Sequence, residues 1–121
     1  MKKLRIEGSV DTPEILFDHE SGVFEISGRS LPEDCVEFYK PVLEWIAQYS
    51  EKPNATTEFT FKLEYMNTAS SKLIQDIISS LEELKGAKVI WYCREDDEDM
   101  IEIGQELSEI IQVPFEFKTM E

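Results

Sequence analysis

Basic residues are scarce in this chain of 121: twelve lysines and arginines stand against twenty-six aspartates and glutamates, a formal net charge of −14. So thin a basic complement argues against a phosphate-neutralising surface, and with it against nucleic-acid binding. It argues equally against adsorption to an anionic membrane. The charge fits a protein that meets basic patches on its partners, although acidity alone names no partner. Cysteine is nearly absent. Cys35 and Cys93 form no CxxC and no metal-ligand spacing, which reads as two reduced thiols of a cytosolic protein. The five glycines are scattered at turns and helix ends and make no phosphate-cradling loop. No window is apolar for long enough to span a membrane, and the opening MKKLRIEGS lacks the apolar stretch of a signal peptide. A cytoplasmic location is expected.

Apolar side chains are plentiful by contrast. Hydrophobic residues make up 41% of the chain and aromatic residues 11%, enough for one packed domain spanning 1–121 that removes roughly two-thirds of its unfolded surface from water. Along the chain, KLRIEGS (3–9) reads as a half-buried strand. EILFDH (14–19) and VFEISG (23–28) read as a hairpin with Gly22 at the positive-φ position. Ser30-Leu31-Pro32-Glu33 resembles a helix start with Ser30 as cap and proline in the first turn. Val36, Tyr39, Leu43, Ile46 and Tyr49 then recur at helical spacing, and Pro41 is expected to kink that helix or begin a second one.

TEFTFKLEYM (57–66) is the clearest strand, with Phe59, Phe61, Leu63 and Tyr65 predicted on one face and charged or polar residues on the other. Leu73, Ile74, Ile77, Ile78, Leu81 and Leu84 make the stripe of a second helix that Gly86 ends. KVIWYC (88–93) is almost continuously apolar, as a strand covered on both faces would be. EDDEDM opens a third helix with Met100, Ile103, Leu107, Ile110 and Ile111 inward; Pro114 stops it and FEFK (115–118) is a short last strand. The order β-β-β-α-β-α-β-α-β predicts an α/β fold. An antiparallel front leads into locally parallel strands, in a mixed sheet with helices mainly on one face.

Little of this points to catalysis. The single histidine, His19, precedes a hairpin turn, and nothing local holds it as a base for either thiol. The acidic run Glu95-Asp96-Asp97-Glu98-Asp99 does not match the alternating oxygen cage of a calcium loop. At a helix N-terminus such carboxylates cap free N–H groups and meet the dipole. Asp96, Asp97 and Asp99 also stand as a candidate partner surface and, further down, as the residues of a metal-assisted hydrolase. YMNTASSK (65–72) opens the second helix. Asn67, Thr68 or Ser70 suits its cap, and a hydroxyl there also suits phosphorylation, since a phosphate would land on free N–H groups at the positive dipole end. A partner docked on that helix start would then be expelled by charge and bulk.

TPEILFD (12–18), GRSLPEDCVEFYKPVLEWI (28–46), EYMNTASSK (64–72) and WYCREDDEDMIEIGQELSEIIQVPF (91–115) resemble, in order and over nearly the whole chain, the SiaC family of bacterial regulatory phosphoproteins. The resemblance implies a fold akin to anti-sigma-factor antagonists of the STAS type and a partner-switching role without enzymatic activity or cofactor. It implies a dedicated kinase that phosphorylates the threonine between strand and helix, here Thr68, and a metal-dependent serine/threonine phosphatase that reverses this. The unphosphorylated form would bind and activate a diguanylate cyclase, raising cyclic di-GMP and favouring biofilm formation. Asn67, Ser70, Ser71 and Lys72 would shape the docking surface. Two positions depart from the family pattern: Met66 stands where an aromatic is usual, and Ala69 where a serine is, which removes one alternative phosphate acceptor. Cys93 stands where a second aromatic is common. A module of the same fold serving another target, such as an anti-sigma factor, is the alternative.

Overall fold

The structure, a computed structural model, describes residues 2–120. Ten elements follow the expected order: β1 (Leu4–Ile6), β2 (Glu14–Asp18), β3 (Val23–Ser30), α1 (Cys35–Tyr49), β4 (Thr57–Met66), α2 (Thr68–Ser80) with a 3₁₀ turn (Leu81–Glu83), β5 (Ala87–Arg94), α3 (Glu98–Ile110) and β6 (Phe115–Met120). The six strands form one sheet in sequence order. The pairs β1·β2 and β2·β3 are antiparallel; β3·β4, β4·β5 and β5·β6 are parallel. Gly22, at φ 73°, makes the β2–β3 turn, as the hairpin reading requires. Because each parallel strand lies beside its predecessor in one direction, right-handed crossovers put all three helices on the same face.

That face holds the core. Ile15, Phe17, Phe24, Ile26, Phe59, Phe61, Val89 and Trp91 pack with the buried sides of the three helices in one cluster. The opposite face is open and laced with ion pairs, among them Lys62 with Glu25 (3.2 Å) and Lys88 with Glu116. Such pairs add little to stability, yet they keep the uncovered face polar. The double cover read from KVIWYC is therefore corrected. Helices cover β5 on one side only, and Ile90 is buried on the open face beside its ladder neighbours Thr60 and Glu116.

Several other local readings change. Ser30 is not a helix cap but the buried last residue of β3; Asp34 caps α1, accepting from the Glu37 N–H. Pro32 accordingly precedes the helix. Pro41 neither ends α1 nor starts a new helix, since one helix runs from Cys35 through it to Tyr49. The stripe of α1 is Cys35, Tyr39, Val42, Trp45, Ile46 and Tyr49, while Val36 is 70% exposed. In α3, Gly104 joins Met100 and Leu107 against the core and Ile110 turns outward. Gly104 lets α3 press on Trp91: a Cβ there would lie 2.6 Å from the indole ring. Gly86, at φ 75°, combines the left-handed backbone with an approach to the Ala55 carbonyl that leaves no room for a side chain.

The change with most consequence lies at the end of β4. Gly28 pairs with Leu63, but Arg29 pairs with Tyr65, so Glu64 is an extra residue in the ladder. This β-bulge resets the alternation. Glu64 and Tyr65 both face out, and Met66 turns in.

Candidate functional site

All three helices begin where a parallel strand ends, so their N-termini gather at the carboxyl edge of the sheet. At α2 the cap is Asn67, whose Oδ1 accepts the Ser70 N–H at 2.8 Å, and its own N–H reaches back to the Ser30 carbonyl at 3.1 Å. Of the capping residues the sequence offered, Asn67 is the one used. Thr68 is thereby the first residue of the helix, and it is exposed. Ala69 and Lys72 are exposed beside it and Ser71 is half-buried.

Ser70 belongs to the interior. It has no exposed surface, so its role is to hold the helix start from beneath rather than to touch a partner. Its Oγ donates to the Ser30 carbonyl at 3.0 Å. With that proton used, Ser70 accepts from the Ser30 hydroxyl at 2.8 Å. Ser30 must in turn accept from Tyr39 Oη at 2.6 Å, because each hydroxyl has only one proton to give. The result is a directed chain running from α1 through β3 to α2. Cys35 Sγ lies alongside, 3.4 Å from Ser70 Oγ and 3.7 Å from Asn67 Oδ1. No buried side-chain polar atom among the described residues lacks a partner. Burial pushes the Tyr39 phenol up to about 12, against the opposing effect of its bond with Ser30. Tyr39 therefore keeps its proton and acts as the donor at the head of the chain.

The electrostatics of this start differ from its neighbours. The first turn of α1 carries Glu37 behind its Asp34 cap, and that of α3 carries Glu98 and Asp99 behind its Asp97 cap; the first turn of α2 carries no acid. Asp97 accepts from the Met100 N–H at 3.1 Å, which puts that residue of the acidic run to work as a cap. Asp96 and Asp99 are exposed. Among the described residues no cluster of His, Cys, Asp or Glu could hold a metal ion, so Asp96, Asp97 and Asp99 gain no hydrolase geometry. His19 contacts the Lys52 carbonyl and the Tyr49 ring near the start of β3, whereas Cys35 follows the end of β3. The histidine and that thiol lie at opposite ends of the sheet. Burial, with a contribution from Asp97, raises the Cys93 thiol above its usual range, which makes it less reactive.

Between the tip of β4 and α3 runs a groove of about 360 Å³. The paired register of β4 with β5 stops at Phe61 and Trp91, and beyond it the strand tip 64–66 and the outer side of α3 form the walls. The sequence pattern missed both this groove and the Tyr39–Ser30–Ser70 chain. The first depends on a bulge and the second on residues forty positions apart; neither leaves a local signal.

The fold is a mixed sheet covered by helices on one face, with an exposed, threonine-led helix start at its carboxyl edge. The chain belongs to the SiaC family of regulatory phosphoproteins, whose family model matches residues 6–120. It is 30% identical over 119 residues to an uncharacterised protein of Pseudomonas aeruginosa strain UCBPP-PA14, covering 95% of this chain and 94% of that protein. Its fold is similar to apo-SiaC from Pseudomonas aeruginosa, at 29% identity and a TM-score of 0.87 over 98% of this chain and 99% of that one. It is likewise similar to a chain of the crystal structure of diguanylate cyclase SiaD with its activator SiaC, at 28% identity and a TM-score of 0.89 over 97% and 99%. Among the described residues no helix is long and apolar enough to cross a membrane.

Proposed function

We propose that this protein is a non-enzymatic activator of a diguanylate cyclase in the cytoplasm, switched off by phosphorylation of Thr68. The cyclase assignment rests on kinship with the SiaC that was crystallised with SiaD as its activator and on family membership. The switch assignment rests on one observation above others. Thr68 is exposed at the first position of α2, the only one of the three α-helices whose first turn holds no carboxylate. A phosphate added there meets free N–H groups and the positive end of the dipole without repulsion from an acid in its own first turn. The fold can carry the modification while a partner packed on that surface is expelled by its bulk and by the cost of burying its charge. Asn67, Ser71 and Lys72 border Thr68 and would share the docking surface; Ser70 supports it from inside. A cognate kinase and a metal-dependent phosphatase complete the cycle.

The test is co-expression with the kinase of the same host and mapping of phosphate by mass spectrometry. Stoichiometric modification is expected at Thr68. Phosphate at another residue with Thr68 untouched sinks the switch assignment, and recovery of an anti-sigma factor instead of a cyclase in a pull-down redirects the target.

A further inference from the structure

A groove beside α3 has a lining that does not include Thr68 or the rest of the α2 start. Its apolar lining comes from Tyr65, Met66, Met100 and Ile103. Its charged lining is acidic throughout, with no lysine, arginine or histidine. Asp99, Glu102 and Glu106 stand three and four residues apart, a spacing that puts them on one side of the helix. The whole of α3, EDMIEIGQELSEI, holds no basic residue, and none of its carboxylates takes part in an ion pair among the described residues. Like charges at this spacing repel within a helix, so the arrangement costs the free protein stability and leaves a negative field that a cation on a partner would neutralise.

The rim shows what such a cation meets. Where the chain supplies its own arginines they are taken up, Arg94 by Glu64 at 3.0 Å and Arg29 over the Tyr65 ring at 5.5 Å. The carboxylates of α3 have no such partner. The volume lies in the about 300–1,000 Å³ span of pockets that hold a ligand group. The bulge at Glu64 creates the site by turning Tyr65 out beside it.

We infer that this groove docks an arginine- or lysine-bearing segment of the cyclase partner, whose aliphatic stems lie on Tyr65, Met100 and Ile103 while the charged ends meet Glu102 and Glu106. The inference deepens the proposed function and rests on it. It assigns the groove to recognition and association rate, since complementary charge steers encounter, and leaves switching to Thr68.

The experiment measures binding of the full chain to the cyclase of the same host at several salt concentrations. Wild type is compared with Glu102→Lys/Glu106→Lys and with the milder Glu102→Gln/Glu106→Gln. Both positions are exposed, and the lysine variant should melt no lower than wild type because it relieves repulsion. The lysine pair is expected to weaken binding at least tenfold and to flatten its salt dependence, with the glutamine pair intermediate. Wild-type binding that both variants match in affinity and salt dependence overturns the inference and leaves the proposed function standing. Absence of any wild-type binding overturns the proposed function, and the inference with it.

Discussion

The starts of α2 and α3 meet the same need with opposite electrostatics. Each must satisfy N–H groups that have no partner within the helix. At α3, Asp97 caps and Glu98 and Asp99 follow, so the dipole is already answered by fixed negative charge. At α2 a neutral amide caps and a threonine leads, with no acid in the turn. In a chain of net charge −14, that omission leaves one helix start where an added phosphate is favoured. The acidic start, by contrast, borders the groove and is suited to a cationic partner. Charge that stabilises a terminus also occupies it, so a helix start already filled with carboxylates repels an added phosphate instead of holding it.

The largest expected difference comes from the interior support of α2. Tyr39 holds its proton to about 12 when folded, against 10.0 for an unperturbed tyrosine. Its contribution is therefore fully present below pH 10. It is lost as pH rises toward 12, at about 1.4 kcal/mol per pH unit. Denaturant melts across that range should show this loss in wild type and a shallower one in Tyr39→Phe. An equal slope in both would show that the buried phenol does not link α2 to alkaline stability. The corresponding contact under α3 is steric. Gly104→Ala drives a methyl against Trp91 and should cost about 1–3 kcal/mol, read as a lowered urea midpoint with unchanged slope.

Smaller effects separate the caps themselves. Asn67→Ala leaves the Ser70 N–H without its partner and should cost about 1 kcal/mol. Smallest of all, Thr68→Asp places a negative charge at the empty α2 start and should add about 0.3–1 kcal/mol of stability at low salt. One further aspartate at α3, where charge is already crowded, should add nothing or subtract. If Thr68→Asp lowers the melting temperature while an added acid at α3 raises it, the contrast between the two starts is wrong.

Much of this architecture was legible in the sequence. Strict alternation in 57–63 and the helical stripes of α1 and α2 fixed the elements, and Gly22 marked its turn, because each depends on neighbours within a few residues. The features that build the sites depend on distant pairing. Alternation alone puts Tyr65 inward, and only the pairing with β3 reveals the extra residue that turns it out. Ser30 carries the pattern of a cap, yet its hydroxyl is claimed by Tyr39 and Ser70, nine and forty residues away. The continuous apolar run of β5 cannot distinguish two covered faces from one covered face and a sheltered Ile90. Thr68 stands out as the candidate switch for a different reason: the residues that suit a helix start also suit a phosphate, and the motif around it resembles the family's.

The central claim is that the same exposed threonine opens α2 and gates the cyclase. The direct measurement is the affinity of the cyclase for the wild-type chain before and after quantitative phosphorylation by the kinase, with Thr68→Ala treated alongside. A loss of at least tenfold on phosphorylation, absent in Thr68→Ala, is the expected result. Equal affinity of the phosphorylated and unphosphorylated wild-type chains would contradict it.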